Sequence, residues 1–319
     1  MWLFHDAKYA FIAMRRKAYV VSAAALALGI GAMMFNIFTI GRWQQYGVDF
    51  DGGVLVQVSF SQPLDDSDLR AALGGASAPP ITRFGGDNEF VIRAPLEEER
   101  DIDEVAGDVE VQLAASFGES SFEVVRQESV GPKIGRELEQ RAALAILFSL
   151  ALTLIYIAIR FEVRFGLAAV IATAHDMLIV LGLLALFRVE IALPTVAAIL
   201  TILGYSLNDT IVVFDRIREN LNAKGGRRED PYRLVNRSIN ETLPRTVLTS
   251  GTTLAVLFSL LALGGAVIRD FTIVLILGVM IGTYSSIFIA SPALLEIQKR
   301  FGTGDARKKQ QGRRVAAAV

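Results

Sequence analysis

Six long apolar segments dominate the pattern of hydrophobic and polar positions along the chain. A helix needs about 20 consecutive apolar residues to cross the hydrocarbon core of a bilayer. The six segments, each close to that length or longer, lie near residues 19–41, 142–159, 165–187, 191–214, 246–267 and 271–295. The pattern therefore predicts an α-helical membrane protein with six transmembrane helices.

The polar stretch between the first two apolar segments has the pattern of a separate folded domain. Residues 54–60 alternate between apolar and polar positions like a half-buried strand, and residues 97–117 repeat apolar positions at helical spacing. A short helix at 65–73, a hairpin over 81–94 and a last strand at 122–130 complete the pattern. The order βαββαβ predicts an inserted α+β domain of the ferredoxin-like type.

Composition narrows the class of protein. Of 319 residues, 52% are hydrophobic and 20% are charged, and the net charge is −1, which fits neither a soluble domain nor a basic nucleic-acid-binding protein. The chain has no cysteine, so a disulfide or a thiolate metal site is excluded. Within residues 42–141 we find no nucleophile–base pair, phosphate loop or metal cluster. We therefore predict an interaction domain there, not an enzyme, and expect no cofactor or metal.

Lysine and arginine are unevenly distributed between the two ends of the predicted spans. The short loops on one side carry only Arg188 and Arg269, whereas the other side carries the remaining basic clusters. By the positive-inside rule the basic side is cytoplasmic, which places both termini inside. The predicted organisation is a lead-in at 1–18, a first span at 19–41, an external domain with linkers at 42–141, a five-helix bundle at 142–295 containing a cytoplasmic loop at 216–243, and a cytoplasmic tail at 296–319.

The fourth apolar segment contains polar residues where lipid would be expected. Asn208 and Asp209 lie inside it, and Thr201, Tyr205 and Asp209 share one helix face at i, i+4 and i+8. A carboxylate in a span is costly, by about 2.5–3.5 kcal/mol on insertion scales. This face is predicted to contact protein or water, in a functional site or as a buried polar contact that fixes helix packing.

Two neighbouring segments add ionisable residues. His175 and Asp176 lie about half-way along the third segment, where they form a proton relay or a packing hydrogen bond. Arg245 opens the fifth segment, and Thr249 continues its polar stripe; the alternative for Arg245 is a positive-inside anchor. Together with Asp209, these residues predict a proton or ion path through the membrane.

The short motif GVDFDGG precedes the external domain. Its glycines, Gly47, Gly52 and Gly53, allow a turn of the backbone that a side chain would block. Asp49 and Asp51 are too few to hold a metal ion without further ligands. We interpret the motif as a structural turn.

Two segments mark the places where polar sequence leads into a predicted span. The sequence GPKIGREL at 131–138 predicts a bend at the membrane surface, because it contains two glycines and a proline. Ser238 to Glu241 resembles a capping box for a helix that leads into the fifth span, and the span itself is predicted to start near Pro244, a favourable first-turn residue.

Four motifs, in this order, resemble the SecF branch of the SecD/SecF protein-export family, whose members are similar to half of a resistance-nodulation-division (RND) transporter. They are GVDFDGG, ESVGPKIGREL, GYSLNDTIVVFDRIREN and INETLPRTVLTSGTT. The resemblance covers roughly residues 10–298. It implies a multi-pass protein of the bacterial inner membrane that uses proton-motive force to enhance polypeptide translocation.

The resemblance also implies partners and site residues. The partners are SecD, the SecYEG translocon, YajC, the unfolded translocating polypeptide, protons and membrane lipid, with no nucleic acid. Asp209 and Arg245 match the proton-path residues of the family, and Asp176 and Asp215 are weaker candidates. Asn208, Tyr205 and Thr249 are supporting polar positions. The motif departs from the family at Asp51, where a small or hydroxyl residue is more frequent.

Two other functions compete with this interpretation. A small-molecule RND exporter subunit shares the membrane architecture, but the single ferredoxin-like domain and the motifs along the whole chain argue against it. An intramembrane aspartyl protease would use Asp176 and Asp209 as a pair sharing one proton at close range. Arg245 disfavours such a pair, and no protease motif accompanies the two aspartates.

Overall fold

The structure is a computed structural model that describes residues 7–83, 88–96, 102–160, 162–265 and 268–301. Within these residues, six helical segments are long and apolar enough to cross a membrane, as predicted. The helices are α1 (Arg15–Ile40), α2 (Val48–Asp51), α3 (Asp66–Ala72), α4 (Ile102–Phe117), α5 (Pro132–Arg160), α6 (Val163–Phe187), α7 (Leu193–Asn222), α8 (Pro231–Leu263), α9 (Arg269–Ser285) and α10 (Ser291–Phe301). A π-helical turn, Ser286–Ala290, joins α9 and α10 into the sixth span.

The inserted domain is the predicted ferredoxin-like fold. Its strands are β1 (Gly53–Phe60), β2 (Ile81–Arg83), β3 (Glu89–Ala94) and β4 (Phe122–Val130), and with α3 and α4 they follow the order βαββαβ. The sheet is antiparallel in the order β2-β3-β1-β4. Alternate residues of β1 face α3 and α4 and bury a core that includes Val56, Phe90, Leu69 and Leu113. The turn predicted at 85–88 lies almost wholly outside the described residues.

The predicted bend at residues 131–138 is wrong. Helix α5 begins at Pro132 and continues through this segment into the second span. Gly135 is needed for contact, not for flexibility: a Cβ at this position would lie 2.6 Å from the carbonyl oxygen of Phe50 in α2. A Cβ at Gly52 would likewise lie 2.9 Å from the Cα of Pro132. The glycines of the two linkers therefore pack the linkers together.

The predicted capping box at Ser238 does not begin the helix: α8 begins seven residues earlier, at Pro231, and both Ser238 and Pro244 lie inside it. Only residues 223–230 of the loop predicted at 216–243 lie outside α7 and α8. The polar composition of this segment concealed an amphipathic helix whose apolar side chains, Leu234, Val235 and Ile239, are buried against the bundle. Proline is tolerated within membrane helices because neighbouring groups satisfy the freed backbone.

Small residues bring the central helices close together. Gly29 of α1 and Gly182 of α6 face each other so closely that a Cβ on Gly29 would lie 2.7 Å from the Cα of Gly182. Gly278 and Gly282 of α9 make the same kind of contact with α7, where a Cβ at Gly282 would lie 3.0 Å from the Cβ of Ser206. This close approach places the polar side chains of α6, α7, α8 and α9 next to one another.

Candidate functional site

The two predicted aspartates are both buried in the middle of the bundle. Asp176 of α6 is 1% exposed and Asp209 of α7 is 2% exposed. Each carboxylate lies on a helix packed against α9. A buried carboxylate is tolerated only where donors compensate its lost hydration, so its hydrogen-bond partners define the site.

Asp176 is surrounded by three side-chain groups. Its Oδ2 accepts hydrogen bonds from Ser206 Oγ of α7 at 2.5 Å and from Ser285 Oγ of α9 at 2.6 Å. Its Oδ1 lies 2.8 Å from His175 Nδ1. The side chains of these two neighbouring residues therefore contact each other. The Nε2 of His175 is buried and has no partner within the described part of the chain, while its ring stacks with Tyr284.

Asp209 has a separate set of partners. Its Oδ2 accepts a hydrogen bond from Ser250 Oγ of α8 at 3.2 Å, and Ser250 Oγ lies 2.7 Å from Thr283 Oγ1 of α9. Thr283 is therefore linked to the carboxylate through Ser250. Arg245 lies within electrostatic range of Asp209, but the two side chains form no ion pair in the described structure.

The hydroxyl groups of four side chains on α7, α8 and α9 therefore lie around the two carboxylates. We call this group, Ser206, Ser250, Thr283 and Ser285, the polar layer. Ser285 bonds Asp176, and Thr283, two residues earlier on α9, belongs to the group around Asp209. No described side chain bonds both carboxylates. The shared-proton pair that an aspartyl protease requires has no support in this arrangement.

The remaining predicted site residues lie around the edge of this layer. Tyr205 donates its hydroxyl to Thr253 Oγ1 at 3.3 Å. Thr249 donates to carbonyl oxygens of its own helix. Asn208 is exposed on α7, and Asp215 is exposed near the end of that helix, where it pairs with Arg160 at 3.5 Å. The structure therefore brings Asp176 and Asp209 into the layer and leaves Asn208, Asp215 and Thr249 outside it.

The layer contains residues that the sequence reasoning missed, namely Ser206, Ser250, Thr283 and Ser285. Serine and threonine are frequent in membrane helices, where they bond the carbonyl of the preceding turn. Small-residue spacing on α9 was the available signal, because Gly278, Gly282 and Ser286 mark the face that approaches α7 closely.

The motif GVDFDGG forms a joint between the inserted domain and the bundle. The Oδ2 of Asp49 accepts the backbone N–H of Leu193 at 2.8 Å, at the first residue of α7. The N–H of Gly47 bonds the carbonyl of Ile191 at 3.0 Å. The carboxylate of Asp51 pairs with Arg42. The N-terminus of the helix that carries Asp209 is therefore tied to the segment from which β1 starts.

Gly52 and Gly53, at the end of the motif, both have positive φ, and a Cβ on Gly53 would lie 2.7 Å from the carbonyl oxygen of Ala94. Glycine is required where a positive φ combines with a close backbone approach. The structural-turn interpretation of the motif accounts for these contacts. In the described part of the chain, no three His, Asp or Glu side chains are placed to hold a metal ion.

A second contact joins the inserted domain to the bundle. Arg93 Nε of β3 lies 2.8 Å and 3.0 Å from the two carboxylate oxygens of Glu190, in the loop between α6 and α7. Gln45 Nε2 donates to the same carboxylate at 3.2 Å. The side chains of Arg93 and Glu190 are 17% and 13% exposed. Burial raises the pKa of Glu190, the charge of Arg93 opposes that shift, and Asp270 adds to it.

Six spanning helices, an inserted ferredoxin-like domain and two buried carboxylates with separate partners are features of a membrane protein of the transport class. The model of the family "protein export membrane protein SecD/SecF, C-terminal" matches residues 110–300. SecF, a protein translocase subunit of Gemmatimonas aurantiaca, is 42% identical over 306 residues, which cover 94% of this chain and 90% of that protein. SecF of Escherichia coli O157:H7 is 40% identical over 80% of this chain and 79% of that protein. The chain belongs to the SecD/SecF family, within its SecF branch.

Solved structures agree with this assignment. The crystal structure of SecDF from Thermus thermophilus, described as a translocon-associated membrane protein, matches with a TM-score of 0.79 at 40% identity and covers 94% of this chain. A second SecDF structure, in a super-membrane-facing form, matches with a TM-score of 0.66 at 38% identity and covers 98% of this chain. The chain spans about two fifths of those SecDF chains, 40% and 41%.

Proposed function

We propose that this chain couples proton-motive force to polypeptide translocation across the bacterial inner membrane, by converting proton transfer in the bundle into movement of the inserted domain. The observation that carries the proposal is the pair of carboxylates, Asp176 and Asp209, buried in the spans among hydroxyl donors from neighbouring helices. Ionisable groups inside a membrane bundle are typical of proton relays. Moving one proton across the membrane supplies about 2.3 kcal/mol per 100 mV.

Asp209 is the proposed site of proton exchange. The hydroxyl of Ser250, which also bonds Thr283, can rotate to donate to a carboxylate or to accept from a carboxylic acid, so it serves both protonation states of Asp209. Arg245 lies close enough to favour the charged state. A change in the separation of Asp209 and Arg245 alters this balance, which allows two helix arrangements to differ in proton affinity.

Helix α7 provides the proposed mechanical connection. Asp209 lies about 24 Å along the helix axis from Leu193, at about 1.5 Å per residue. The N–H of Leu193 is held by Asp49, whose motif leads directly into β1. A shift of α7 that follows proton exchange would therefore be transmitted to the inserted sheet.

SecD is the proposed partner in the membrane. Asn208 of α7 and Arg245 of α8 are exposed on the outside of the bundle. Polar groups facing lipid are costly, and a second helical subunit would cover them. The SecDF structures contain this chain's fold within a chain about two and a half times as long, which supports a SecD-like partner beside it. Association with SecYEG and YajC is proposed on the same grounds, from the resemblance to SecF.

The inserted domain is proposed to bind unfolded polypeptide. Strand β4 (Phe122–Val130) pairs with β1 on one side and, among the described strands, has no partner on its other edge. An extended peptide can add to such an edge by backbone hydrogen bonds, without a sequence requirement. Weak, non-catalytic binding of this kind suits a factor that pulls many different polypeptides.

The proposed orientation places both termini in the cytoplasm and the sheet outside. Because the chain lacks cysteine, Ser67→Cys in α3 and Lys224→Cys in the turn after α7 each introduce a single thiol at an exposed position. An impermeant maleimide added to intact cells is expected to label the first and to reach the second only after permeabilisation. Labelling of both from the outside would contradict this topology.

Proton dependence is tested by Asp209→Asn in inverted membrane vesicles that also contain SecD and SecYEG. Asparagine keeps the shape and accepts hydrogen bonds but cannot exchange a proton. We expect normal assembly with SecD and loss of the increment in translocation that proton-motive force provides, measured as the fraction of protected substrate with and without an ionophore.

The matched control is Asp215→Asn, which removes the same charge from an exposed position on the same helix. It is expected to keep at least about half of the proton-dependent increment. Full activity in Asp209→Asn would show that this carboxylate serves only packing, and proton coupling would then have to be sought at Asp176.

A further inference from the structure

A cavity of about 810 Å³ lies at the end of the bundle that carries the N-terminus, away from the buried carboxylates. One wall is the segment before α1, and the opposite wall is the beginning of α8. Arg15 is the first residue of α1, and the apolar part of α8 follows this wall, so the cavity lies at the level of the membrane surface. We call it the interfacial cavity. Neither the proton path nor the contacts of the inserted domain involve it.

The walls of the interfacial cavity are held in place by side-chain hydrogen bonds. Asn240 Oδ1 accepts the backbone N–H of Tyr9 at 2.9 Å, and Asn236 Oδ1 accepts that of Ile12 at 3.2 Å. The Nδ2 groups of both asparagines donate to the carbonyl of Tyr9 at 2.9 Å. Phe11 and Ile12 are buried on the bundle side of this segment. The cavity is therefore formed before any ligand enters it.

The lining of the cavity is strongly basic. Four cations, Lys8, Arg15, Arg233 and Arg237, face one carboxylate, Glu241. That carboxylate is already engaged outside the cavity, because it accepts hydrogen bonds from Arg216 Nε and Asn220 Nδ2, both at 2.7 Å.

The four cations differ in how far they are already paired. Arg237 pairs with Glu229 at 2.7 Å, and Arg15 lies over the ring of Tyr232 at 5.0 Å from its centroid. Within the described part of the chain, Lys8 and Arg233 have no carboxylate partner. Lys8, Arg233 and the planar guanidinium of Arg15 are suited to a phosphate group.

The cavity also borders apolar surface that faces lipid. Leu248 follows Arg237 by eleven residues, so it lies on the same face of α8, about 16 Å further into the membrane. Its side chain is 42% exposed. A ligand with a phosphate group in the cavity and an acyl chain along this face of α8 would match both the basic lining and the apolar surface. We propose that the interfacial cavity binds the headgroup of an anionic phospholipid.

The proposal is tested by native mass spectrometry of the purified full chain. The probes are phosphatidylglycerol and phosphatidylcholine with the same acyl chains, and inorganic phosphate in a third arm. The unmodified chain is expected to retain phosphatidylglycerol in preference to phosphatidylcholine. Lys8→Gln with Arg233→Gln is expected to reduce that preference on the order of tenfold, since each cation near an anionic surface contributes to lipid attraction.

Two further variants separate the cavity from general charge and from misfolding. Arg218→Gln with Lys224→Gln removes one arginine and one lysine from the same end of the bundle but outside the cavity, and should leave the preference unchanged. Ala13→Trp keeps the charge but fills the cavity, and should reduce binding of phosphatidylglycerol. The elution volume and melting temperature of each variant check that it is folded.

Three results would overturn the proposal. Equal retention of the two lipids by the unmodified chain would mean that the cavity does not select an anionic headgroup. An equal loss in both double variants would assign the preference to overall charge. Competition by inorganic phosphate as effective as that by phosphatidylglycerol would make the cavity a site for free phosphate.

Discussion

At the scale of single residues, the hydrogen bonds that a buried carboxylate accepts determine how the helices of the bundle pack. Asp176 receives two hydroxyl donors from two other helices, and His175 contacts its second oxygen. Such contacts compensate part of the hydration that the carboxylate loses, and they also fix the register of α6, α7 and α9. The hydrogen bonds of this one side chain thus connect three helices.

The contribution of these donors to stability is tested by Ser285→Ala. The change leaves the buried oxygen of Asp176 with one hydroxyl donor, Ser206. Loss of a hydrogen bond to a buried group costs about 1–3 kcal/mol, so the free energy of unfolding in a detergent titration should fall by about that amount. Ser285→Thr should restore much of it, because the hydroxyl returns.

The matched control for this change is Ser259→Ala. Ser259 is exposed on α8 and bonds only a carbonyl of its own helix in the described structure. Its removal should change the free energy of unfolding by less than about 0.5 kcal/mol. Equal effects of the two substitutions would show that the contact between Ser285 and Asp176 adds nothing to stability.

The aspartates of the site were predictable from sequence, and their partners were not. An ionisable residue inside an apolar segment is conspicuous because it is costly, which singled out Asp176 and Asp209. Ser250 and Thr283 are inconspicuous in such a segment, and their roles depend on the register of α8 against α9. Asn208 was predicted beside Asp209, but one residue turns a helix by about 100°, which places its side chain on the outside.

At the scale of secondary-structure elements, membrane helices extend beyond their apolar parts. The apolar pattern predicted the six spans but not their ends, since α5 and α8 each continue into polar sequence through amphipathic turns. The βαββαβ order was predictable because alternating strands and periodic helices differ clearly in pattern. The contact between Arg93 and Glu190 was not predictable, because it depends on how the domain sits on the loop between α6 and α7.

The loop between α6 and α7 is expected to respond to pH through Glu190. Burial raises the pKa of this carboxyl, although Arg93 acts in the opposite direction, and the charge of Asp270 adds to the rise. Arg93 and Arg269 in turn interact electrostatically with Asp270. In the folded protein, Glu190 therefore binds a proton more readily than an exposed glutamate does. Proton binding by Glu190 therefore stabilises the folded protein. This stabilisation is fully present below the ordinary pKa of a glutamate and is lost as the pH rises through the raised pKa of Glu190 in the folded state.

Glu190→Gln imitates the protonated carboxyl and should remove this pH dependence. The measurement is the melting temperature of the chain between acidic and neutral pH, compared with that of the unmodified protein. Glu123→Gln, at an exposed position of β4, should leave the dependence intact. The prediction fails if the melting temperature of Glu190→Gln varies with pH as much as that of the unmodified chain.

At the scale of the whole molecule, the described residues connect the bundle and the inserted domain at two places. One is the joint in which Asp49 holds the N-terminus of α7 and the glycines of the linkers pack α2 against α5. The other is the contact of Arg93 with Glu190. The first is built from backbone groups at close approach, and the second from side chains that can separate and become hydrated. Movement of the domain is therefore expected to pivot about the joint and to open the Arg93 contact.

This pivot is tested by closing the second connection covalently. Arg93→Cys and Glu190→Cys place the two thiols of an otherwise cysteine-free chain on either side of the contact. Because arginine and glutamate side chains together span more than a disulfide does, a short thiol-reactive cross-linker with a reducible centre is used. In vesicles, cross-linking should abolish the translocation increment that depends on proton-motive force, and reduction should restore it. The same treatment of each single-cysteine variant controls for modification alone. Full activity of the cross-linked chain would mean that the domain does not move relative to this loop, while proton exchange at Asp209 could still be assessed independently by its own substitution.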